Sequence, residues 1–520
     1  MTFSTLPSHV QILVIGGGPA GSYAASALAR EGFDVCVLEA SKFPRYHIGE
    51  SMLPSVAPFL DFIGAKEKVE KHGFAVKPGA AVKFNQWDRE GYTDFVSLDS
   101  QFKAWNVVRS EFDEILLRHS AESGARVFEE TRVTRLDFEG ERPVRAHFNR
   151  NSTTGSISFD YLVDASGRTG IMSTKYLKNR RMNASLKNIA CWGYWSGTGQ
   201  YMPGTRRQNA PWFEALTDES GWSWFIPLHD GTVSVGFVMD QTTSNEKKRA
   251  SASMKEHYMD QFKFAPGLQK LIGEGELVTG RDKPDIQSAS DYSYSADSYA
   301  GDHFRLVGDA SAFIDPFFSS GVHLALAGAM SAAVSISASI RQHCPESEAA
   351  AFHDQKVGSS YTRFLLVVMG SYKQIRNQSF PVLKEVKEDN FDHAFDMIRP
   401  IIQGVSDVDR NVTENELQRT MDFVAHVMLT RTNPEMVESV KARLPESLLS
   451  SQDILLEDDI DKLIAPGDDE ARFVLRELNA RKPIHSMYNG PVNMSNEAVN
   501  GYIGVVKRGF LGMALGKTVA

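Results

Sequence analysis

The chain has 520 residues, of which 42% are hydrophobic and 23% are charged, and its formal net charge at pH 7 is −9. This composition is typical of a globular protein with a large core, divided into roughly two to four compact units. Because the charge balance is negative and no basic block stands out, we expect no nucleic-acid partner.

Several features bear on where the protein is found. The N-terminus lacks the basic start and apolar core of a signal peptide. The three cysteines lie far apart without metal-ligand spacing, which predicts reduced thiols, no metal site and a cytoplasmic location. Residues 317–340 have no Asp, Glu, Lys or Arg and are long enough to span a bilayer. Their many Ser, Gly and Ala residues favour a buried helix, so we expect no stable membrane insertion.

The opening residues have the pattern of a strand, a glycine turn, a helix and a second strand. Residues 11–15 are apolar, and the GxGxxG glycines Gly16, Gly18 and Gly21 follow them. The first glycine permits the tight turn, the second lets the backbone approach a pyrophosphate, and the third lets helix and strand pack closely. Glu39 ends the second strand, where a carboxylate binds ribose hydroxyls. This pattern predicts a dinucleotide site, and the alternative is a glycine-rich turn in a Rossmann-like domain without a ligand.

The loop after this unit favours FAD over NAD. It contains a cation, a glycine and a helix-capping pair, namely Arg45, Gly49, Glu50 and Ser51. Such a loop can lie along the flavin side of a long cofactor. Arg109 precedes the first turn of an amphipathic helix, where it either pairs with a phosphate or is an ordinary surface arginine.

A second ligand-binding corner is predicted further along the chain. Residues 304–307 form a short apolar strand, Gly308 and Asp309 break it, and a helix rich in small residues follows from Gly321. Backbone N–H groups at a helix N-terminus favour anions. Asp309 can instead accept hydrogen bonds from ribityl or ribose hydroxyls.

The rest of the chain changes character at about residue 340. Strand-like alternation before that point predicts an antiparallel sheet, at residues 189–195, 221–227 and 232–239. Helical patterns after it predict a mainly helical region, at residues 353–376, 385–399 and 414–428. The tail from residue 501 to 520 is either loosely ordered or covers the mouth of the site.

Four motifs occur in the order used by flavin monooxygenases of the para-hydroxybenzoate hydroxylase fold: GGGPAGS, VVRSEFDEIL, DASGR and RLVGDA. The chain resembles this group over roughly its first two-thirds. The resemblance implies an α/β fold with a Rossmann-like FAD-binding domain, an antiparallel-sheet substrate domain and a mainly helical C-terminal region. The expected boundaries are, in that order, residues 8–80 with 100–185 and 280–340, residues 81–99 with 186–279, and residues 341–520.

A more particular resemblance rests on WxWxIP at residues 222–227, KPGA at 77–80, and DPFFSSGVH at 315–323. With these motifs the chain resembles the FADH2-dependent halogenases, and most of all the fungal halogenases of aromatic polyketides. This implies chlorination or bromination of a phenolic aromatic polyketide by electrophilic aromatic substitution. The hypohalous acid would be made at the flavin C4a-hydroperoxide. The resemblance also implies FADH2 from a separate flavin reductase, chloride or bromide, and O2.

The resemblance makes Lys77 the candidate catalytic residue that carries the oxidised halogen. Apolar neighbours and a Pro-Gly turn favour a desolvated amine, whose pKa is lowered and whose nucleophilicity is raised. Lys83 is the rival, since it lies an even number of positions after Lys77 and is predicted to lie on a strand facing the same way.

By the same resemblance the long helix binds halide through Ser320 and Gly321, although an ordinary N-cap serine fits the same pattern. A wall between flavin and substrate is assigned to Trp222, Trp224, Ile226 and Pro227; two indoles on one face of a strand also fit plain core packing. The expected FAD contacts are Gly16, Gly18, Ala20, Gly21, Glu39, Arg45, Gly49, Glu50, Ser51, Arg109, Val133 and Asp309.

Phe318 stands where the tryptophan halogenases carry a glutamate that assists the indole reaction. A phenol needs that carboxylate less, because its own hydroxyl activates the ring, so this departure points to phenols. The base for the phenol proton is left open among His47, His72, His229 and His323. The alternatives are an NAD(P)H-dependent aromatic hydroxylase of the same fold and a non-catalytic binding module, which the intact glycine fingerprint disfavours.

Overall fold

The fold is seen in a computed structural model. The residues it describes are 5–87, 89–95, 103–280, 284–378, 398, 401–404, 407, 424, 434–445, 460, 462–480 and 498–516. The strands are, in chain order, β1 (His9–Ile15), β2 (Val35–Leu38), β3 (Ala75–Val76), β4 (Gly79–Lys83), β5 (Gly91–Asp94), β6 (Trp105–Asn106), β7 (Arg126–Phe128), β8 (Thr131–Glu139), β9 (Arg142–Arg150), β10 (Thr153–Asp164), β11 (Arg180–Ser196), β12 (Trp212–Ala215), β13 (Gly221–Pro227), β14 (Val233–Asp240), β15 (Glu276–Leu277), β16 (Gln287–Ala296), β17 (Ala300–Gly301), β18 (Phe304–Leu306), β19 (Tyr502–Val505) and β20 (Gly512–Leu515). The helices are α1 (Pro19–Arg30), α2 (Val56–Ile63), α3 (Lys66–His72), α4 (Arg109–Glu122), α5 (Gln241–Arg249), α6 (Met254–Asp260), α7 (Pro266–Ile272), α8 (Gly321–Ile340), α9 (Glu346–Ile375), α10 (Pro434–Lys441) and α11 (Asp469–Ala480).

The first sheet is the Rossmann-like part of the molecule. Its strand order is β17-β18-β10-β1-β2-β7, and β8 and β9 attach to it through β10. The strands from β18 to β7 run parallel. β2 is buried along its whole length and β1 along most of it, as expected for parallel strands covered on both faces. The predicted α/β domain is therefore present.

Helix α8 spans the predicted residues and packs against α1 and α9. Among the described helices, α8 is the one that is long and apolar enough to cross a membrane. Within the most apolar part of this helix, 89% of the residues are buried inside the protein. That burial is typical of a core helix, which is what the small side chains predicted.

The second sheet differs from the prediction in two respects. Its order is β15-β11-β14-β13-β12-β4-β5, and β12 and β4 run parallel, so the sheet is mixed rather than antiparallel throughout. In addition, β11 begins before the expected boundary at residue 186, and β16 pairs with it although residues 280–340 were assigned to the FAD-binding domain. Alternation identifies a strand, but it does not say with which neighbour the strand pairs.

The C-terminal region begins with the long helix α9, as predicted. Apart from residues 398 and 424, the expected helices at residues 385–399 and 414–428 lie outside the described part of the chain. The described part of the tail, residues 501–516, is ordered, because β19 and β20 form a hairpin that buries Leu511 and Met513 against the core around α8. None of these residues lines the large cavity described below. Arg341, just after α8, donates a hydrogen bond to the carbonyl oxygen of Leu511 at 2.6 Å.

Candidate active site

The glycine turn after β1 lies directly against neighbouring backbone. Gly16 has a φ of +105°, and a Cβ atom there would lie 2.2 Å from the carbonyl oxygen of Ala165. A Cβ atom on Gly21 would lie 1.9 Å from the carbonyl oxygen of Gly16. Only glycine fits at either position, so α1 starts tightly against β1 with its N-terminus available to an anion.

Glu39 follows β2 and is buried beside this turn. Its carboxylate oxygens accept hydrogen bonds from the backbone N–H groups of Gly17, at 2.6 Å, and Ser41, at 2.7 Å. A carboxylate offers about four acceptor positions. Lone pairs therefore remain for the hydroxyl groups of a ligand.

A cavity of about 550 Å³ runs from the glycine turn to the second sheet. The predicted site residues that line it are Gly16, Gly18, Ala20, Glu39, Arg45, Gly49, Glu50, Ser51, Arg109, Val133, Trp222, Trp224, Ile226, Asp309 and Gly321. The predicted site residues that do not line it are Gly21, Lys77, Pro227 and Ser320. One space thus joins the dinucleotide corner to the tryptophan-bearing strand.

Arg109, at the start of α4, is not a surface arginine, since it is only 5% exposed. Its guanidinium donates two hydrogen bonds to Asp113, at 2.8 and 3.0 Å. It also donates to the carbonyl oxygens of Ile48 and Gly49. Burial acts to raise the pKa of Asp113, but Arg109 and Arg45 hold it below its ordinary value. Arg109 therefore fixes the loop after β2, and sequence reasoning missed its partner Asp113.

Arg45 reaches the glycine turn itself. A Cβ atom on Gly18 would lie 3.4 Å from Nη2 of Arg45, so this guanidinium stands where a pyrophosphate would approach the turn. Asp309 also lines the cavity, and burial raises the pKa of its carboxyl although Arg168 and Arg109 oppose the shift. The cations and the carboxyl provide donors for phosphates and an acceptor for hydroxyls within one cavity.

Lys77 lies in the link between β3 and β4 and is 2% exposed. Its amine donates to Oγ of Ser51 at 2.8 Å and to the carbonyl oxygen of Met52 at 2.9 Å. The amine also lies 4.9 Å from the centre of the Phe95 ring. Burial lowers the pKa of Lys77 to about 7. Since Ser51 lines the cavity, the amine stands one side chain behind the cavity wall.

Lys83 has different surroundings. β4 begins at Gly79, after Lys77, so the even spacing of the two lysines carries no information about direction. Lys83 ends β4 opposite Glu214 of β12, is only partly buried and does not line the cavity. The parity argument for Lys83 therefore fails.

A chain of hydrogen bonds that sequence reasoning did not anticipate ends at Glu50. Nε1 of Trp192 donates to the hydroxyl of Tyr46 at 2.7 Å, and this hydroxyl lies 3.1 Å from that of Tyr194. Tyr194 donates to Oε1 of Glu50 at 2.6 Å. Burial raises the pKa of Glu50 to about 7. A proton can therefore reside on this cavity carboxyl near neutral pH. The alternation of β11, which puts Trp192 and Tyr194 on one face, was the available signal.

Trp222 and Trp224 lie on one face of β13 with ring centres 5.9 Å apart, and both line the cavity. Nε1 of Trp222 donates to the hydroxyl of Tyr372 in α9 at 2.8 Å. Tyr372 donates in turn to Asp315 at 2.6 Å, and Asn188 donates to both. Helix α9 therefore fixes the indole of Trp222, through a contact that no local pattern indicates.

The turn before α8 leaves polar groups available to a ligand. Gly321 lines the cavity, and a Cβ atom there would meet nothing within 4 Å. Ser320 is fully buried, and its Oγ neither caps the helix nor bonds any other described residue. The ordinary N-cap alternative is therefore not observed. A buried hydroxyl therefore lies next to Gly321 at the cavity edge, where the first N–H groups of the helix have no partner within the helix.

Of the four histidines considered as bases for the phenol proton, only His47 lines the cavity. Burial lowers the pKa of His47 to about 4, so it is neutral near pH 7. His72 and His229 lie together near the surface around Glu111. His323 is fully buried in α8.

Similarity to known proteins decides the family. The tryptophan halogenase family matches residues 11–103 and 94–446. The flavin-dependent halogenase armH4 of Armillaria mellea is 60% identical over 520 residues, covering 96% of this chain and 97% of that protein. The chain belongs to the flavin-dependent halogenases.

Other relatives agree with this assignment. Sulochrin halogenase gedL of Aspergillus terreus is 44% identical to this halogenase and covers 98% of it, with 94% of its own length aligned. The structure of the flavin-dependent halogenase CmlS matches with a TM-score of 0.66 at 26% identity, over 84% of this halogenase and 77% of that chain. The structure of the myxobacterial chondrochloren halogenase CndH matches with a TM-score of 0.64 at 27% identity, over 76% of this halogenase and 90% of that chain. The predicted family, fold class and enzyme type are confirmed.

Halogenases of this family depend on flavin, and the cavity residues of this halogenase fit FAD. The glycine turn and Arg45 would hold the pyrophosphate, and the free lone pairs of Glu39 would accept from a ribose. The buried hydroxyl of Ser320 has no hydrogen-bond partner among the described residues, and it lies next in sequence to Gly321, which lines the same cavity.

Proposed function

We propose that this halogenase chlorinates or brominates a phenolic aromatic polyketide in secondary-metabolite biosynthesis. Its co-reactants would be chloride or bromide, O2, and FADH2 from a separate flavin reductase. When bound, the reduced flavin supplies the oxidation of halide to hypohalous acid with O2 as oxidant. The observation that carries the proposal is the buried, partly neutral amine of Lys77 beside the cavity.

Lys77 is the residue proposed to deliver the halogen. A neutral amine has a free lone pair, so it can take up chlorine from hypochlorous acid with loss of water, forming an N–Cl bond. As an alternative, the amine hydrogen-bonds hypochlorous acid and makes its chlorine more electrophilic. Ser51 and Met52 orient the amine in either case. The cation–π contact with Phe95 favours the charged form, whereas burial favours the neutral one.

Halide binding is proposed for the start of α8. Ser320 contributes a buried hydroxyl without a partner, and Gly321 contributes a backbone N–H beside open space. N–H groups of a first helical turn carry partial positive charge, which stabilises an anion.

The wall of Trp222 and Trp224 is proposed to separate flavin from substrate, so that hypohalous acid rather than a flavin oxygen reaches the ring. Both indoles face the cavity, and the hydrogen bond to Tyr372 holds Trp222 in place.

A phenolic substrate is supported by two observations. Phe318 is buried and packs edge-to-face on Phe317 with ring centres 5.0 Å apart, so the position that holds a glutamate in tryptophan halogenases is apolar here. The relative from Aspergillus terreus is named for sulochrin, which fits a polyketide phenol as the substrate class.

The test combines the purified protein with flavin reductase, NADH, FAD, a halide salt and a resorcylic phenol, and reads the products by mass spectrometry. We expect a monohalogenated phenol whose formation requires halide, O2 and reductase together. A hydroxylated product without halogen, formed with NAD(P)H and no reductase, would show a hydroxylase instead. Flavin binding with no product from a panel of phenols and halides would favour a binding module.

A further inference from the structure

Three metal-ligand side chains meet near the surface, outside the flavin cavity. Nε2 of His72 lies 2.7 Å, and Nε2 of His229 3.2 Å, from the same oxygen, Oε2, of Glu111. The three ligand atoms lie within 4.8 Å of one another. The side chains of His72, His229 and Glu111 are 32%, 21% and 38% exposed, so an ion can reach them from solvent.

The ring of Phe74 packs against the imidazoles of both His72 and His229. The ring centre of Phe74 lies 4.3 Å from that of His72 and 5.1 Å from that of His229. Phe74 is itself buried and contacts Phe112 of α4. Packing therefore sets the orientation of the two imidazoles before any ion binds, which reduces the entropy lost on binding.

We propose that His72, Glu111 and His229 bind a divalent transition-metal ion, for which Zn²⁺ is the best fit. Two imidazoles and one carboxylate form a donor set that Zn²⁺ accepts, with water in the fourth position. Mg²⁺ and Ca²⁺ prefer oxygen ligands, so the two nitrogen donors select against them. The ion takes the place of two hydrogen bonds to Glu111, and no ligand is left unpaired.

The site connects three segments that carry the proposed chemistry. His72 ends α3 and lies five residues before Lys77, while Glu111 lies two residues after Arg109 in α4. His229 follows β13, the strand of the tryptophan wall. A bound ion would hold these segments together without entering the flavin cavity, since none of the three ligands lines it.

The surroundings of His229 set an expectation for affinity. Nδ1 of His229 is buried and has no hydrogen-bond partner among the described residues. Metal-bound histidines usually donate this second N–H to an acceptor, which strengthens binding. The site is therefore an exchangeable one that releases its ion to a chelator.

The experiment uses the full chain, stripped of metal with chelator and titrated with Zn²⁺ by calorimetry. We expect one equivalent to bind and to raise the melting temperature. Co²⁺ in its place should give the visible absorption of a tetrahedral site. His229→Gln and Glu111→Gln each remove a ligand, so each should weaken Zn²⁺ binding by at least the roughly tenfold that loss of an outer-shell partner costs. The matched control is His147→Gln, because His147 pairs with Asp137 at 2.6 Å and belongs to no three-ligand cluster of described residues.

Loss of binding in both variants with retention in His147→Gln would support the site. Equal binding by all forms would place the ion elsewhere, and no stoichiometric binding by the unmodified chain would refute the site directly. Circular dichroism of each variant separates loss of the site from loss of the fold. The Co²⁺ spectrum tests the coordination geometry independently of either substitution.

Discussion

Nε2 of His323 lies 2.8 Å from Oδ2 of Asp407, which connects the first turn of α8 to the C-terminal region. On its other side, Nδ1 of His323 lies 2.8 Å from Oγ of Ser55. Ser360 of α9 donates to the second oxygen of Asp407 at 3.0 Å. His323 and Ser55 are fully buried and Asp407 nearly so. Asp407 is therefore held beside the proposed halide site by a chain of buried polar contacts.

Asp407→Asn should weaken this connection. Burial acts to raise the pKa of Asp407, but the hydrogen bond from His323 and the charge of Arg363 hold it below its ordinary value. A depressed carboxyl pKa contributes stability above the unfolded value near pH 4 and loses it as pH falls through the folded value. We expect Asp407→Asn to lower the free energy of unfolding by about 1–3 kcal/mol at pH 7. The difference in melting temperature between the variant and wild type should become smaller below about pH 4.

The control for that prediction is Asp137→Asn. Asp137 also pairs with a histidine, His147, but on the exposed surface, where such pairs contribute little. Its melting temperature should match wild type. If Asp407→Asn also melts like wild type at pH 7, the connection does not stabilise the fold.

The halogenation rate should rise with pH through about 7. The neutral fraction of the Lys77 amine increases over that range, because its pKa is lowered to about 7, and only the neutral form can take up halogen. Lys77→Ala should abolish halogenation while FAD binding, followed by flavin fluorescence, is retained. Lys83→Ala should remain active. A rate that falls through pH 7 would instead indicate that the ammonium form acts as hydrogen-bond donor.

Tyr372→Phe should loosen the wall. The change leaves the buried Nε1 of Trp222 without its acceptor, at a cost of about 1–3 kcal/mol. We expect less halogenated product per O2 consumed, measured with an oxygen electrode and mass spectrometry. Tyr258→Phe is the control. The hydroxyl of Tyr258 accepts a hydrogen bond from Nε1 of Trp195, also at 2.8 Å, and neither residue lines the cavity. Tyr258→Phe should lower stability without changing the amount of halogenated product per O2 consumed. An equal fall of this ratio in both variants would contradict the proposed role of the wall.

Ser320→Ala should raise the apparent KM for chloride. Removing a hydrogen bond to an ion costs about 1.5–3 kcal/mol, which corresponds to roughly a tenfold or greater change in affinity. Stability should change little, because this hydroxyl bonds no described residue. Ser337→Ala is a matched control on α8, since its Oγ is likewise buried without such a partner. A chloride KM that is unchanged in Ser320→Ala would remove Ser320 from the halide site.

The sequence was sufficient to predict those parts of the fold and the site that depend on residues close together in the chain. The glycine turn, the position of Glu39, the bounds of α8 and the shared face of Trp222 and Trp224 all follow from local spacing. It was insufficient where distant segments meet. The hydrogen bond that Trp222 donates to Tyr372 joins positions 150 residues apart. The argument from the even spacing of Lys77 and Lys83 failed because side chains alternate between two faces only within one strand, and Lys77 lies outside β4.

The hairpin of β19 and β20 bears on how the enzyme can be shortened for expression. Leu511 and Met513 cover apolar surface around α8, a helix that composition alone would allow to enter a bilayer. A clone that stops before Tyr502 uncovers that surface, and contiguous exposed apolar area leads to aggregation. A shortened product should therefore keep the chain through Leu515, the end of β20, well beyond α8.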